Sequence, residues 1–231
     1  MKPTLKQITP MICEFEWREN VSDLLLQHQL TFETGLKKEF ISEINEIRMG
    51  FRTLSVTLSN SSNYQGIKKW LDSYNPETSL IPLPSKIWQI PVCYSLETGR
   101  DIESLAKSKE LNQEELIELH SKPLYRLHFY GFLPGFMYLN GLPETLHAAR
   151  KSVPDREVPI GSVAIGGTQT GIYPSSSPGG WHLIGQTPVK FFDPSQSNPV
   201  FASAGEQIEF IPISKNKFEE IKGSSPKPTF R

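Results

Sequence analysis

The sequence predicts an α+β protein in two parts: a small ferredoxin-like α/β domain over residues 1–85, then a sandwich or closed β-barrel over residues 86–214. Three observations carry this. Strand-period and helix-period apolar patterns alternate through the first third in the order β-α-β-α-β, the pattern of a split-βαβ layer. Prolines cluster at Pro76, Pro82, Pro84 and Pro91, where the composition shifts and a domain boundary is expected. Gly161–Asp193 packs seven glycines and three prolines into 33 residues, interleaved with β-rich runs at Ser162–Ile165, His182–Ile184 and Val189–Phe192. Glycine allows positive φ and close backbone approach and proline interrupts ladders, so this stretch reads as tight loops carried on a sheet.

In order, Met11, Cys13, Phe15 and Trp17 alternate with polar neighbours as a half-buried strand. Asn20 then caps a helix with Val21, Leu24, Leu25, His28 and Phe32 on one face. Phe40, Ile41 and Ile44 resume an apolar stripe, and an extra strand fits at Glu43–Arg48. Leu54, Val56 and Leu58 form a strand. Ile67, Trp70, Leu71 and Tyr74 make one face of a helix opened at Ser62 or Asn63 and stopped at Asn75-Pro76. Trp88, Ile90 and Val92 complete the N-terminal layer. Beyond it, Asp101–Lys107 and Asn112–Ser121 read as short helices, the second with Asn112 and Glu115 as a capping-box pair. Tyr125, Leu127 and Phe129 begin a run of strands that ends near Ile213. Residues 215–231 are expected to form a flexible tail.

Composition narrows the function. The chain has 231 residues, is 37% hydrophobic and 21% charged, and carries a formal net charge of −1, so a basic nucleic-acid footprint is not expected. No apolar run reaches membrane-spanning length or the h-region of a signal peptide, which predicts a cytoplasmic protein. Cys13 and Cys93 form no CxxC pair and read as buried free thiols. The histidines lack metal-ligand spacing, so no metal is expected. Gly166 and Gly171 satisfy half of a phosphate-loop pattern, but Ile172-Tyr173 stand where Lys and Ser/Thr are needed, and there is no GxSxG elbow.

What is left is a set of cationic and aromatic side chains beside glycine-rich loops. Arg150, Lys151 and Arg156 flank Pro154 and read either as ordinary surface charges or as an anion-handling patch. Phe132, Phe136, Tyr138, Tyr173 and Trp181 suit the walls of one cleft and suit a barrel core equally well.

Two long segments go further. HFYGFLPGFMYLNGLPETL and VPIGSVAIGGTQTGIYPSSSPGGWHLIGQTPVKFFDP, with Gly99-Arg100-Asp101 and Leu119-His120, closely resemble the family of the 5-oxoprolinase B subunit. That family also includes the sporulation-kinase inhibitor KipI and proteins named allophanate hydrolase subunit 1. The resemblance covers most of residues 90–213 and implies a cyclophilin-like β-barrel after the small α/β domain. It implies a C-type, carboxyltransferase-like partner chain, a third 5-oxoprolinase subunit, and ATP used by the complex to open 5-oxoproline to glutamate. The KipI branch implies a sensor histidine kinase as an alternative partner, and the urea carboxylase branch another amide substrate. The resemblance places a shared site at Arg150, His120 and Gln169 as catalytic candidates. Phe132, Pro134, Phe136, Tyr138, Arg156, Gly166, Gly167, Tyr173, Gly179, Gly180 and Trp181 are its substrate-binding candidates. The chain departs from its relatives at Asp155 and Gln186, each where an arginine is usual, at Gly166, where alanine is common, and at Ser95-Leu96 in place of a glycine pair.

Overall fold

A computed structural model describes residues 1–76, 79–224 and 226–231. Residues 77 and 78 of the expected first domain, and 225 of the expected tail, lie outside the described residues. Contacts divide the chain into two units, Met1–Leu83 and Pro84–Arg231.

In the first unit, β1 (Thr4–Thr9) and β2 (Ile12–Glu16) form a hairpin, followed by α1 (Asp23–Glu39), β3 (Ile44–Met49), β4 (Thr53–Leu58) and α2 (Asn63–Ser73). The sheet order is β1-β2-β4-β3, all neighbours antiparallel. β4 therefore lies between β2 and β3 while α1 connects them, which is the split βαβ of a ferredoxin-like layer. Cys13, Phe15 and Trp17 from β2 and its end, and Leu54, Val56 and Leu58 from β4, are buried as their alternation predicts. Phe32 of α1 closes the layer, its ring 4.7 Å from Phe15 and 5.4 Å from Trp17.

Three expectations change here. The fourth strand is β1, which has no clean alternation; the Trp88–Val92 strand joins the second unit. The α1 cap is Ser22, whose hydroxyl accepts from Leu25 N–H, so the buried face is Leu25, Leu26, His28, Gln29, Phe32 and Leu36. Leu24 and Ile41 are exposed, because the helix starts later than Asn20 and ends before Ile41.

The second unit comprises β5 (Ile87–Cys93), α3 (Ile102–Ser108), α4 (Gln113–Ser121), β6 (Leu124–Tyr130), β7 (Met137–Asn140), β8 (Asp155–Val158), β9 (Ser162–Gly166), β10 (Gln169–Ile172), β11 (Ser177–Gly179), β12 (His182–Gln186), β13 (Gln207–Ile213), α5 (Lys215–Lys222) and β14 (Thr229–Phe230). Seven strands in the order β12-β9-β10-β7-β6-β13-β5 close on themselves through Gln186 and Cys93. This is the cyclophilin-like barrel, and closure removes its free edges. β13 and β5 run parallel over seven residue pairs, and the other barrel pairings are antiparallel. α4 carries the expected capping box, with Asn112 and Glu115 bonded reciprocally at 2.8 and 2.9 Å.

Local chemistry redirects several side chains. A bulge between Leu127 and Phe129 of β6 breaks the alternation, so Leu127 stays in the core and Phe129 stacks on Tyr138 at 4.6 Å. Val189–Phe192 forms no strand, although Val189 and Phe191 are buried. The segment expected to be a flexible tail carries α5 and β14: Phe218 is buried, and β14 pairs with the start of β5. The Arg231 guanidinium meets Glu209 at 3.1 Å. An apolar anchor on an exposed-looking helix and a two-residue strand are both too short to read from periodicity.

Candidate functional site

One concavity gathers most of the side chains singled out from the sequence. A cavity of about 340 Å³ is lined by Phe132, Phe136, Tyr138, Tyr173 and Trp181, by Arg150, Lys151 and Pro154, and by Pro178, Gly179 and Gly180. Its aromatic wall is built from the loops that read as turns in the sequence. The β6–β7 loop delivers Phe136, whose ring centroid lies 5.1 Å from Tyr138, 5.3 Å from Tyr173 and 5.5 Å from Trp181. The near-perpendicular pairings with Tyr173 and Trp181 are the edge-to-face arrangement that aromatic quadrupoles favour. Phe132, at the mouth, is 61% exposed and holds a φ of 64°, a left-handed conformation uncommon for a non-glycine residue.

Two glycines make the wall possible. A Cβ at Gly166 would stand 2.5 Å from the Trp181 ring, and one at Gly179 would stand 2.3 Å from the Tyr173 hydroxyl. Both rings lie directly on backbone, which only glycine permits at those distances.

Arg150 sits on a segment pinned on both sides. Ala148 bridges to Gly167, His182 Nε2 donates to the Ala149 carbonyl at 2.9 Å, and Lys151 N–H donates to the Gly180 carbonyl at 2.8 Å. The Arg150 guanidinium carbon lies 5.8 Å from the Trp181 ring centroid. Its charge reaches both phenols of the wall. Burial pushes Tyr173 above its ordinary value, opposed in part by a backbone hydrogen bond from Trp181 and by Arg150. Tyr138 is likewise raised by burial and eased down by Arg150. Both hydroxyls therefore stay protonated at neutral pH. Among the described residues Arg150 has no carboxylate partner within ion-pair distance.

Lys151 differs. Its ammonium lies 2.6 Å from Asp101 and 2.7 Å from Asp155, and Arg100 reaches the same Asp155 oxygen at 2.7 Å. Asp101 also accepts from Leu183 N–H at 2.8 Å. Two cations and two carboxylates cancel at this rim. Burial pushes Asp155 up, but hydrogen bonds from Lys151 and Arg100 outweigh it and hold the carboxyl below its ordinary value.

Other candidates stand elsewhere. His120 is fully buried in the barrel, with Nδ1 2.8 Å from the Tyr94 hydroxyl and Nε2 2.8 Å from the Thr170 hydroxyl, and it stacks on Phe210. Burial lowers its pKa to about 3, so the ring is neutral. Gln169 pairs with Gly166 across the β9–β10 hairpin, and Gly166 itself lies under Trp181 outside the lining. Gly167, Pro134 and Arg156 also lie outside the lining, the last two exposed. Gln186 donates to the Ile160 carbonyl at 2.7 Å, beside a separate cavity of about 320 Å³. The residues that sequence reasoning misses are Pro178 in the wall and the Asp101–Lys151–Asp155–Arg100 cluster. Gly99-Arg100-Asp101 stands out as a segment, but its charges pair across about 50 residues and leave no local pattern. Among the described residues no three His, Cys, Asp or Glu side chains are grouped to hold a metal ion, and no helix is long and apolar enough to cross a membrane.

A two-unit α+β chain with a cyclophilin-like barrel and an aromatic, singly cationic cavity defines the structural class. Residues 3–202 match the family described as carboxyltransferase domain, subdomain C and D, and the chain belongs to that family. It is 40% identical to the B subunit of Haemophilus influenzae 5-oxoprolinase over 80% of this chain and 86% of that one. It is 44% identical to the B subunit of Bacillus subtilis 5-oxoprolinase, over 61% of this chain and 58% of that one. Among solved structures, TTHA0988 superposes with a TM-score of 0.74 at 29% identity over 88% of this chain, which spans 40% of that longer chain. Protein PH0987 from Pyrococcus horikoshii matches at 31% identity with a TM-score of 0.56, covering 93% of this chain and all of that one. The Kluyveromyces lactis urea carboxylase shares the fold with a TM-score of 0.80 at 17% identity over 99% of this chain, which spans 24% of it.

Proposed function

We propose that this chain is a non-autonomous subunit of an ATP-dependent 5-oxoprolinase, which opens 5-oxo-L-proline to L-glutamate together with a C-type, carboxyltransferase-like chain and a third subunit. The relatives named as the B subunit of 5-oxoprolinase support the assignment to such a complex. The observation that carries the division of labour is the cavity itself. It has aromatic walls and one guanidinium without a carboxylate partner among the described residues, with no nucleophile–base pair in its lining and no phosphate loop in the chain. Such a site binds and orients, and needs other chains for the phosphoryl donor.

The chemistry explains why several chains are needed. A lactam carbonyl is a poor electrophile, and transfer of the ATP γ-phosphoryl group to its oxygen makes the ring carbon attackable. One water adds there, the ring C–N bond breaks with the proton going to nitrogen, and a second water cleaves the resulting acyl phosphate to glutamate and phosphate. This chain's contribution is to hold the ring still and to dry its surroundings, which raises the effective concentration of the reacting groups. Arg150 is the lining cation without a carboxylate partner among the described residues, with Tyr138, Tyr173 and the Gly179–Gly180 segment beside it in the lining. His120 is a positioning residue: it braces β10 through Thr170, and β10 leads directly into Tyr173.

The test is ATP-coupled ring opening by the co-expressed subunits. Turnover that requires this chain supports the reading, and a well-formed complex that consumes no 5-oxoproline overturns it. One observation favours a second reading, a KipI-like chain that docks on a sensor histidine kinase: Phe132 stands exposed at the mouth of the cavity. That reading expects the isolated chain to inhibit kinase autophosphorylation and Phe132→Ala to relieve the inhibition.

A further inference from the structure

The charges around the cavity define what it accepts. Arg150 faces the aromatic wall without a carboxylate partner among the described residues. Lys151 also lines the cavity, but its ammonium is shared between Asp101 and Asp155, and the second of these is shared with Arg100. The rim cluster sums to zero charge, so the cavity presents one net cation. A dianionic phosphate needs more than that, whereas one guanidinium fork matches one carboxylate.

The wall sets the rest of the ligand. Phe136, Tyr173 and Trp181 meet edge to face, and Phe132 and Tyr138 complete the enclosure of about 340 Å³. This is the low end of small-molecule pockets and suits a compact, flat ring. The Tyr138 and Tyr173 rings line the same cavity, and burial keeps both phenols protonated beside the Arg150 charge.

We propose that the cavity is a monocarboxylate site for a small cyclic amide, in which Arg150 binds the carboxylate, the Phe136–Tyr173–Trp181 wall holds the ring, and Asp155 sets selectivity by keeping Lys151 from supplying a second positive charge. The identity of the ring rests on the 5-oxoprolinase reading; the charge selectivity does not. The phosphoryl donor then belongs on a partner chain. Asp155 becomes a specificity residue of this site.

The experiment is calorimetric titration of the full chain with three probes: 5-oxo-L-proline, its uncharged carboxamide, and inorganic phosphate. 5-oxo-L-proline is expected to bind about tenfold or more tightly than either of the others, the worth of one charge-assisted contact. Arg150→Ala is expected to abolish that preference, and Arg150→Lys to restore part of it, since both variants alter an exposed side chain and leave the core intact. Asp155→Asn is expected to raise phosphate affinity about tenfold by freeing Arg100 and leaving Lys151 only Asp101 as a partner, a net gain of one positive charge at the rim. Phosphate binding as tightly as 5-oxo-L-proline, an unchanged preference in Arg150→Ala, an unchanged phosphate affinity in Asp155→Asn, or no binding of any probe each overturns the proposal. The two readings fail separately. If the probe preferences hold and the assembled complex opens no ring, the 5-oxoprolinase reading falls and the site stands. If the complex turns over and Arg150→Ala leaves KM unchanged, the site falls and the enzyme reading stands.

Discussion

The Lys151 ammonium lies 2.7 Å from an Asp155 carboxylate oxygen and 2.6 Å from Asp101, so a lysine that lines the cavity is electrostatically spent before any ligand arrives. The neighbouring Arg150 has no such partner among the described residues. Adjacent cations in the sequence therefore have different roles in the fold, and the following expectations grow from that difference.

Arg150 anchors the ligand. In the assembled complex, Arg150→Ala is expected to lower kcat/KM for 5-oxoproline by about ten- to a hundredfold, the loss of one charged hydrogen-bonded contact of about 1.5–3 kcal/mol. The loss is expected mainly in KM, because an anchor remote from the reacting carbon binds ground state and transition state alike. Steady-state kinetics on the variant complex separates the two parameters.

Asp155 is worth stability only while it is ionised. Its folded carboxyl titrates below its ordinary value, so its contribution is fully present above the unfolded value of about 4 and is lost as the pH falls through the depressed folded value. Thermal unfolding of Asp155→Asn is expected to fall below that of the parent chain at pH 7, with the gap closing as the pH drops through the acid range. A gap that is constant with pH would remove the ion-pair account.

His120 adds to the acid response in the same direction, over a range that begins at higher pH. The ring is neutral in the fold, with its value lowered from 6.5 to about 3, so the unfolded chain binds a proton that the folded one refuses. Stability is expected to be unaffected by this group above about pH 6.5 and to decline progressively from there toward pH 3. Replacing His120 by Phe is expected to destabilise the chain by about 1–3 kcal/mol for the Tyr94 hydroxyl left unpaired, the Thr170 hydroxyl still donating to the Ala164 carbonyl, and to flatten the decline between pH 6 and 4. Denaturant titrations across that range measure both.

Gly166 is where a Cβ would reach the Trp181 ring at 2.5 Å. Gly166→Ala is expected to push the indole toward the cavity, move the Trp181 indole N–H resonance, and weaken ligand binding, with the barrel still folded. An unchanged indole resonance would mean that the wall yields without moving Trp181.

Much of this protein is legible in its sequence, for reasons of range. The alternation of Cys13, Phe15 and Trp17, the capping box of Asn112 and Glu115, and the constrained run at Gly161–Asp193 are local patterns, and local patterns report local structure. The aromatic wall of the cavity is also visible as a set of residues, because the long GFLPGFMYL and QTGIYPSSSPGGW segments carry all five of its rings. Tertiary structure alone decides which residues of that set meet. Burial sends His120 into the core beneath Phe210, where its spacing from Leu119 says nothing of Thr170 fifty residues on. Barrel closure through Gln186 and Cys93 turns Gln186 away from the cavity, and pairing takes Trp88–Val92 out of the first unit and into the second. The decisive fact is the charge cluster that disarms Lys151: Asp155 is its i,i+4 neighbour, but Asp101, and the Arg100 that shares Asp155, lie about 50 residues away in sequence, and electrostatics acts through distance in space, which sequence order does not encode.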